Sequence, residues 1–285
     1  MNKTLETDSA KAHSLVTRPR SAMRPLAQMP QQQLTGVQGV MTDIDDTLTR
    51  DGAIEADALT ALHALADAGL PVVAITGRPM GWSMPFARDW PVRAIVAENG
   101  AVALLREGAQ LLTEYVQDDA TRERNALRLR EVAQAVLSQV PGTTLARDSA
   151  GRVTDIAIDH SEFVQLPPER IAQVVDLMRA EGMNATVSSI HINGWFGAHT
   201  KWSAAQWMLK RLFERELDGE IGRWIYVGDS TNDQLMFQHF PLSVGVANLM
   251  HFAGQLTAWP AFITQGERGL GFAEVAHALL ATRRD

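Results

Sequence analysis

The chain contains no cysteine among its 285 residues. Disulfide staples, thiolate metal sites and cysteine nucleophiles are excluded together. A cysteine-free chain also fits a reducing compartment, and a cytoplasmic location is expected. No apolar run reaches the roughly 18 residues that a membrane span requires. Positive charge is short as well: 26 Lys and Arg stand against 33 Asp and Glu, a formal net charge of -7. That is the wrong sign for a chain that relies on attraction to a phosphate backbone. Neither nucleic acid nor a membrane is expected as a partner. The spacings H-E-x-x-H, G-x-S-x-G and G-x-G-x-x-G are also missing. Zinc peptidase, serine hydrolase and dinucleotide-binding readings therefore lack their motifs.

What is present is ordinary for a globular protein with a real core: 46% hydrophobic and 21% charged residues. At roughly 150 residues per domain, the length suggests two units. Residues 1–35 mix Lys, Arg, Ser, Pro and Gln without a hydrophobic period and without the apolar stretch of a secretory signal. Their Arg-rich, acid-poor start also resembles an organellar transit segment. The expectation for 1–35 is a disordered or loosely held tail.

From Gly36 onward the pattern changes. Residues 37–43 form a short apolar run that ends in acid, as a buried parallel strand does. After the turn dipeptide Asp51-Gly52, residues 56–68 place Leu59, Leu62 and Leu65 on one helical face. Gly69 and Pro71 mark its end. Residues 72–75 are a second apolar strand, so strand, helix and strand make a right-handed βαβ unit. The same grammar returns late: a helix over 203–215, a strand over 224–227, a short helix over 234–239, a strand over 242–246 and a helix near 272–282. Residues 36–104 and 199–285 are therefore read as one doubly wound, mainly parallel, Rossmann-like α/β core. The stretch from Thr76 to Lys201 is far longer than the ~2–6 residues usual for such a connection. Strands expected at about 101–105, 112–116, 153–159 and 185–192, and helices at about 121–138 and 167–181, make it an inserted α+β domain, bounded as 105–198.

The chemistry starts at Asp43-Ile44-Asp45-Asp46-Thr47. Side chains two apart on extended chain share a face, so Asp43 and Asp45 can look into one crevice at a strand end. Ligands of open α/β sheets bind there. Crowded carboxylates need a cation or a proton between them. Three other strand ends supply partners: Thr76-Gly77, with a hydroxyl and a flexible amide; Lys201, with a positive charge; and Asp229 to Asp233, with two more carboxylates and Asn232. Oxygen donors without cysteine or clustered histidine suit Mg²⁺ better than zinc. Such a set can recognise a phosphoryl group.

D-x-D-x-T, an apolar run ending in T-G-R, a lysine and G-D-x-x-N-D, in that order from Asp43 to Asp233, resemble the haloacid-dehalogenase-like (HAD) phosphohydrolase superfamily. The long insert resembles its C2 cap class. Glu98-Asn99-Gly100-Ala101, residues 244–248 and residues 269–272 resemble the Cof-type, or IIB, branch, which includes sucrose-phosphate, trehalose-phosphate and mannosyl-phosphoglycerate phosphatases. The resemblance implies a nucleophilic Asp43, with Asp45 as acid and then base. It implies Mg²⁺ on Asp43, the Asp45 backbone carbonyl and Asp229, with Asp233 as a ligand or a support. Thr76, the Gly77 amide and Lys201 are implied to hold the phosphate, with Asn232 contacting Lys201 or substrate. Asp46 receives no catalytic role.

Arg78 reads equally as a residue that meets a substrate anion and as a structural salt bridge. His191 and Asn193 alternate on one strand face just before the return to the core, where a leaving group can be read; His191 also suits a packed position. Trp195, Phe196 and Trp202 suit either a sugar ring or the core. The expected activity is Mg²⁺-dependent hydrolysis of a phosphomonoester on a small metabolite, a sugar phosphate or a phosphoglycolate-like compound, by a monomer or homodimer. Two alternatives stay open: a phosphomutase, and a phospho-accepting regulatory module, although receiver-type modules are about half this length and lack the second aspartate.

Overall fold

The computed structural model describes residues 15–108 and 110–283. Nine strands form one sheet, in the order Arg24–Pro25, Phe262–Ile263, Leu242–Gly245, Trp224–Gly228, Gly39–Thr42, Val72–Ile75, Ala94–Ala97, Val102–Glu107 and Gln110–Tyr115. Every pairing is parallel as far as Ala94–Ala97; the last two strands run antiparallel. Successive strand residues feed opposite faces. Val40, Val72 and Ile225 pack with Leu62, Leu65 and Phe272 on one side. Met41, Val73 and Tyr226 pack with Ala205, Met208 and Phe237 on the other. Helices Ala56–Asp67 and Arg268–Ala281 cover the first face, while Lys201–Phe213 and Gln234–His239 cover the second. This is the doubly wound α/β core read from the sequence.

The insert has a sheet and a hydrophobic cluster of its own. Its antiparallel sheet, in the order Asn184–Val187, His191–Trp195, Asp155–Asp159 and Thr144–Leu145, lies under helices Asp119–Gln139 and Pro168–Ala180. Leu129, Val136, Ile158, Val174, Met178 and Ile192 fill the space between them.

Three expectations need correction. The hairpin Val102–Glu107 and Gln110–Tyr115 extends the core sheet, so a cap beginning at residue 105 cuts through a core strand. Antiparallel extension needs only a tight turn, which Gly108 permits at φ 60. The stretch 185–192 is not one strand but two, because Ser188 Oγ accepts from the Ile190 and His191 amides and turns the chain. Within the supposed tail, residues 15–35 are docked: Leu26, Met29 and Leu34 are buried, and Arg24–Pro25 adds a strand beside Phe262–Ile263. The tail reading for residues 1–14 falls outside the described residues. Among the described residues, no helix is long and apolar enough to cross a membrane.

Gly39 begins the central strand directly against the buried Trp224 indole, where a Cβ would overlap the ring. Gly39→Ala is expected to destabilise the fold by about 1–3 kcal/mol, as overpacked cores do. Urea denaturation should show a lower midpoint with an unchanged slope. Gly219→Ala, where a Cβ meets nothing within 4 Å, should leave the midpoint in place.

Candidate active site

The register of two neighbouring strands builds the centre of the site. Val227 pairs with Thr42, so the residues that follow, Gly228-Asp229 and Asp43, leave the sheet side by side. The Asp43 amide donates to the Val227 carbonyl at 2.9 Å, fixing where its carboxylate starts. Asp233 closes a single 3₁₀ turn, Thr231–Asp233, and folds back over Gly228. Its Oδ2 accepts from the Asp229 and Ser230 amides at 3.0 and 3.2 Å. Carboxylate oxygens of Asp43, Asp229 and Asp233 all lie within 4.8 Å of one another.

Lys201 enters from across the chain. Thr200 caps its helix through a reciprocal box with Ser203, which makes Lys201 the first helical residue. A cation opposes the helix dipole at that position. The gain comes instead from carboxylates: Nζ lies 2.9 Å from Asp43 Oδ1, 2.8 Å from Asp233 Oδ1 and 3.3 Å from Asn232 Oδ1. The Tyr226 hydroxyl also donates to Asp233 Oδ1. Burial alone would lower the lysine pKa; the charges of Asp233 and Asp43 outweigh it and raise it above the ordinary value.

One ammonium does not balance three buried acids. Burial, then Asp43 and Asp233, push the Asp229 pKa well above the ordinary value. Burial likewise raises Asp43, against Lys201 and with the help of Asp233 and Asp45. Asp229 Oδ1 is buried and has no hydrogen-bond partner among the described residues. An orphaned carboxylate oxygen beside two other carboxylates is the surrounding a hard divalent cation fits. Asp233, with both oxygens already accepting hydrogen bonds, suits the role of a strut better than that of a ligand.

Asp45 lies at the edge of the crevice, its Oδ1 held by Arg78 Nε at 2.9 Å. Burial raises its pKa more than Arg78 lowers it. Thr76 ends the neighbouring strand, and its Oγ1 accepts from the Arg78 amide at 3.0 Å. The Gly77 carbonyl accepts from two cap residues, Arg152 Nη1 at 2.9 Å and Asn193 Nδ2 at 3.2 Å. Arg78 spreads its guanidinium over three acids: besides Asp45 it meets Asp148 at 3.1 Å and Glu162 at 2.9 Å, both from the cap. Of its two sequence readings, the salt bridge is the one the geometry displays.

The cap side differs from the motif reading in detail. Asn193 turns back to Gly77 and to Asp155, 3.3 Å away, and so ties cap to core. His191 is buried behind Glu162, at 2.8 Å from its Oε2. The cap wall of the adjoining cleft is made by Ser161, Glu162, Ser189 and Ile190 instead. That cleft, about 260 Å³, is closed from the core side by Asp45, Asp46, Asp51, Arg78, Asn248 and Arg268. Trp195, Phe196 and Trp202 pack: Trp195 Nε1 donates to the His199 carbonyl at 2.9 Å, Phe196 joins the cap core, and Trp202 stacks on His239.

Several contributors carried no assigned role in the sequence. Asn248 donates to the Asp46 carbonyl at 2.9 Å and approaches Asp229 Oδ2 at 3.4 Å. Arg268 pairs with Asp46 at 2.7 Å. Glu98, fully buried, accepts from the amides of Met80, Val153 and Thr154 and from the Thr154 hydroxyl. Asn248 and Glu98 lie inside the short motifs 244–248 and 98–101, which are the sequence signal for them. Glu162, Asp148 and Arg152 had none.

Comparison with known proteins accords with this geometry. Residues 40–142 match the model of a haloacid dehalogenase-like hydrolase family. A phosphoglycolate phosphatase of Pyrobaculum neutrophilum is 26% identical over 251 residues, 86% of this chain and 97% of the relative. A sucrose-phosphatase structure from a Synechocystis species superposes with a TM-score of 0.60 at 18% identity, over 85% of this chain and 98% of that one. The C-terminal domain of a trehalose-6-phosphate phosphatase from C. albicans gives 0.65 at 15% identity, over 91% and 98%. The two structures share the fold. The first two motifs lie inside the matched segment and the later two reach the same crevice, so residues 40–142 resemble the haloacid dehalogenase-like hydrolases in sequence and the chain shares the fold of the solved structures.

Proposed function

We propose that the protein is a Mg²⁺-dependent phosphomonoester hydrolase that works through an aspartyl-phosphate on Asp43. The convergence of Asp43, Lys201 and Asp229, with Asp229 Oδ1 left without a partner among the described residues, carries this reading. Asp43 and Asp229, with the Asp45 carbonyl, would hold the cation, and Asp233 keeps Asp229 and Lys201 in place. When bound, the ion supplies charge that offsets the repulsion between a carboxylate and a phosphate dianion.

The chain's own groups divide the remaining work. An Asp43 carboxylate oxygen attacks phosphorus, and the bond from phosphorus to the ester oxygen breaks. Asp45 gives its proton to the departing alkoxide; burial raises its pKa, the direction a proton donor needs. The resulting Asp45 carboxylate then takes a proton from water as that water attacks the same phosphorus. Inorganic phosphate leaves, Asp43 is restored and Asp45 ends protonated. Lys201, the Thr76 hydroxyl and the Gly77 amide hold the phosphoryl oxygens through both displacements, and Asn232 steadies Lys201. The names of the relatives and a cleft of about 260 Å³ support a small phosphorylated metabolite as substrate.

Asp43→Asn should lower kcat by on the order of 10³-fold or more, since it removes the attacking group, while circular dichroism and Tm stay close to wild type. Phosphate release by that variant at the wild-type rate would remove Asp43 from its role. Chelation with EDTA should stop turnover and Mg²⁺ should restore it. Mg²⁺ should also raise the Tm of the wild type by mass action and fail to do so for Asp229→Asn. A Tm indifferent to Mg²⁺ in both proteins would count against the cation site. Stoichiometric free phosphate separates hydrolysis from mutase chemistry.

A further inference from the structure

The cleft beside Asp45 has an unusual electrical character for a site that receives an anion. Five carboxylates line it, from Asp45, Asp46, Asp51, Glu162 and Asp229, against the guanidiniums of Arg78 and Arg268. Neither guanidinium is free. Arg268 Nε is engaged by Asp46 at 2.7 Å. Arg78 gives Nε to Asp45, Nη1 to Asp148 and Nη2 to Glu162, so each of its three nitrogens already serves an acid. His251, at the exposed rim, is the remaining basic side chain of the lining.

The cap acids that quench Arg78 are themselves held. Asp159 accepts from the Glu162 and Phe163 amides at 2.9 and 3.0 Å and sets the turn that presents Glu162. His191 fixes the second Glu162 oxygen at 2.8 Å, and Arg152 fixes Asp148 at 3.2 Å. A carboxylate placed by two independent restraints is a built feature of the wall, not a mobile surface charge.

We propose that Glu162, assisted by Asp148, is a specificity-determining residue: it cancels the charge of Arg78 on the leaving-group side and so selects phosphate esters of uncharged polyols over esters that carry a second anion. This rests on the phosphohydrolase reading above and deepens it. Lys201 and the bound cation serve the phosphoryl group, which leaves a carboxylate on the leaving group facing a lining where five acids outnumber two already paired guanidiniums. The relative named as a phosphoglycolate phosphatase acts on an ester of the disfavoured kind; this cleft is expected to differ from it.

The test compares kcat/KM of the Mg²⁺-loaded full-length protein on glycerol phosphate and a hexose 6-phosphate with that on 2-phosphoglycolate and 3-phosphoglycerate. p-Nitrophenyl phosphate serves as a generic ester. The wild type should favour the polyol esters by about tenfold or more, with the deficit of the carboxylated esters lying in KM. Glu162→Gln, which keeps the size and a hydrogen-bonding group, should shrink that ratio about tenfold by lowering KM for the carboxylated esters. Rising salt should lower the wild-type KM for the carboxylated esters more than for the polyol esters, a reading that needs no variant. A wild type that prefers phosphoglycolate overturns the proposal, as does a folded Glu162→Gln with an unchanged ratio. Hydrolysis of p-nitrophenyl phosphate without the polyol preference removes the filter alone; inertness toward every ester removes the phosphohydrolase reading with it.

Discussion

The structure depends on holding three carboxylates and one ammonium in a volume from which water is nearly absent. Asp43, Asp229 and Asp233 repel one another there, and burial penalises the charges of Asp43 and Asp229. Lys201 offsets part of this by touching Asp43 and Asp233 together. The remainder is left open at Asp229, whose buried Oδ1 has no hydrogen-bond partner among the described residues. An arrangement of this kind is poor for stability by itself, and residues that serve only packing would be cheaper to place there.

The sheet makes the arrangement possible because parallel neighbours end at one level. The Val227–Thr42 pairing sets Asp229 beside Asp43 without any help from the loops. Tyr226, on the strand itself, then reaches Asp233 from below, so the 3₁₀ turn is pinned from the core. The cap contributes a second buried ionic layer. Arg152 bridges Asp148, Asp155 and the Gly77 carbonyl, and Glu98 gathers the amides of Val153 and Thr154. Burial, against Arg152 and with Glu98, lifts the Asp155 pKa to about 7. The loop that carries Thr76 and Gly77 is thereby held by groups from both domains.

The core was legible because its signals are local. Short apolar runs that end in acid, hydroxyl or glycine state both the strand and the residue emerging from it, so Asp43, Thr76 and Asp229 could be placed before their neighbours were known. Lys201 needed company, since a lysine at a helix start has no periodic signature. The cap was less legible for a physical reason. His191 and Asn193 do share a strand face, but which groups that face meets depends on how two domains dock. Asn193 found Gly77 and His191 found Glu162. Glu162 and Arg152 act through partners more than 70 positions away, Arg78 and Gly77, and no window of sequence contains both ends. The hairpin at 102–115 was misassigned because an antiparallel pair carries the same alternation in either sheet.

The docked segment before Gly36 has a further effect on how the molecule meets copies of itself. Without it, Phe262–Ile263 would end the sheet as a bare row of amides and carbonyls. The two-residue strand Arg24–Pro25 covers that row and then offers little of its own, since Pro25 has no N–H to lend. At the opposite margin, Glu114 and Glu107 are drawn together by Arg211, which sets charged side chains along the outermost strands. Both flanks of a long, mainly parallel sheet are in this way made unattractive to a passing β-strand.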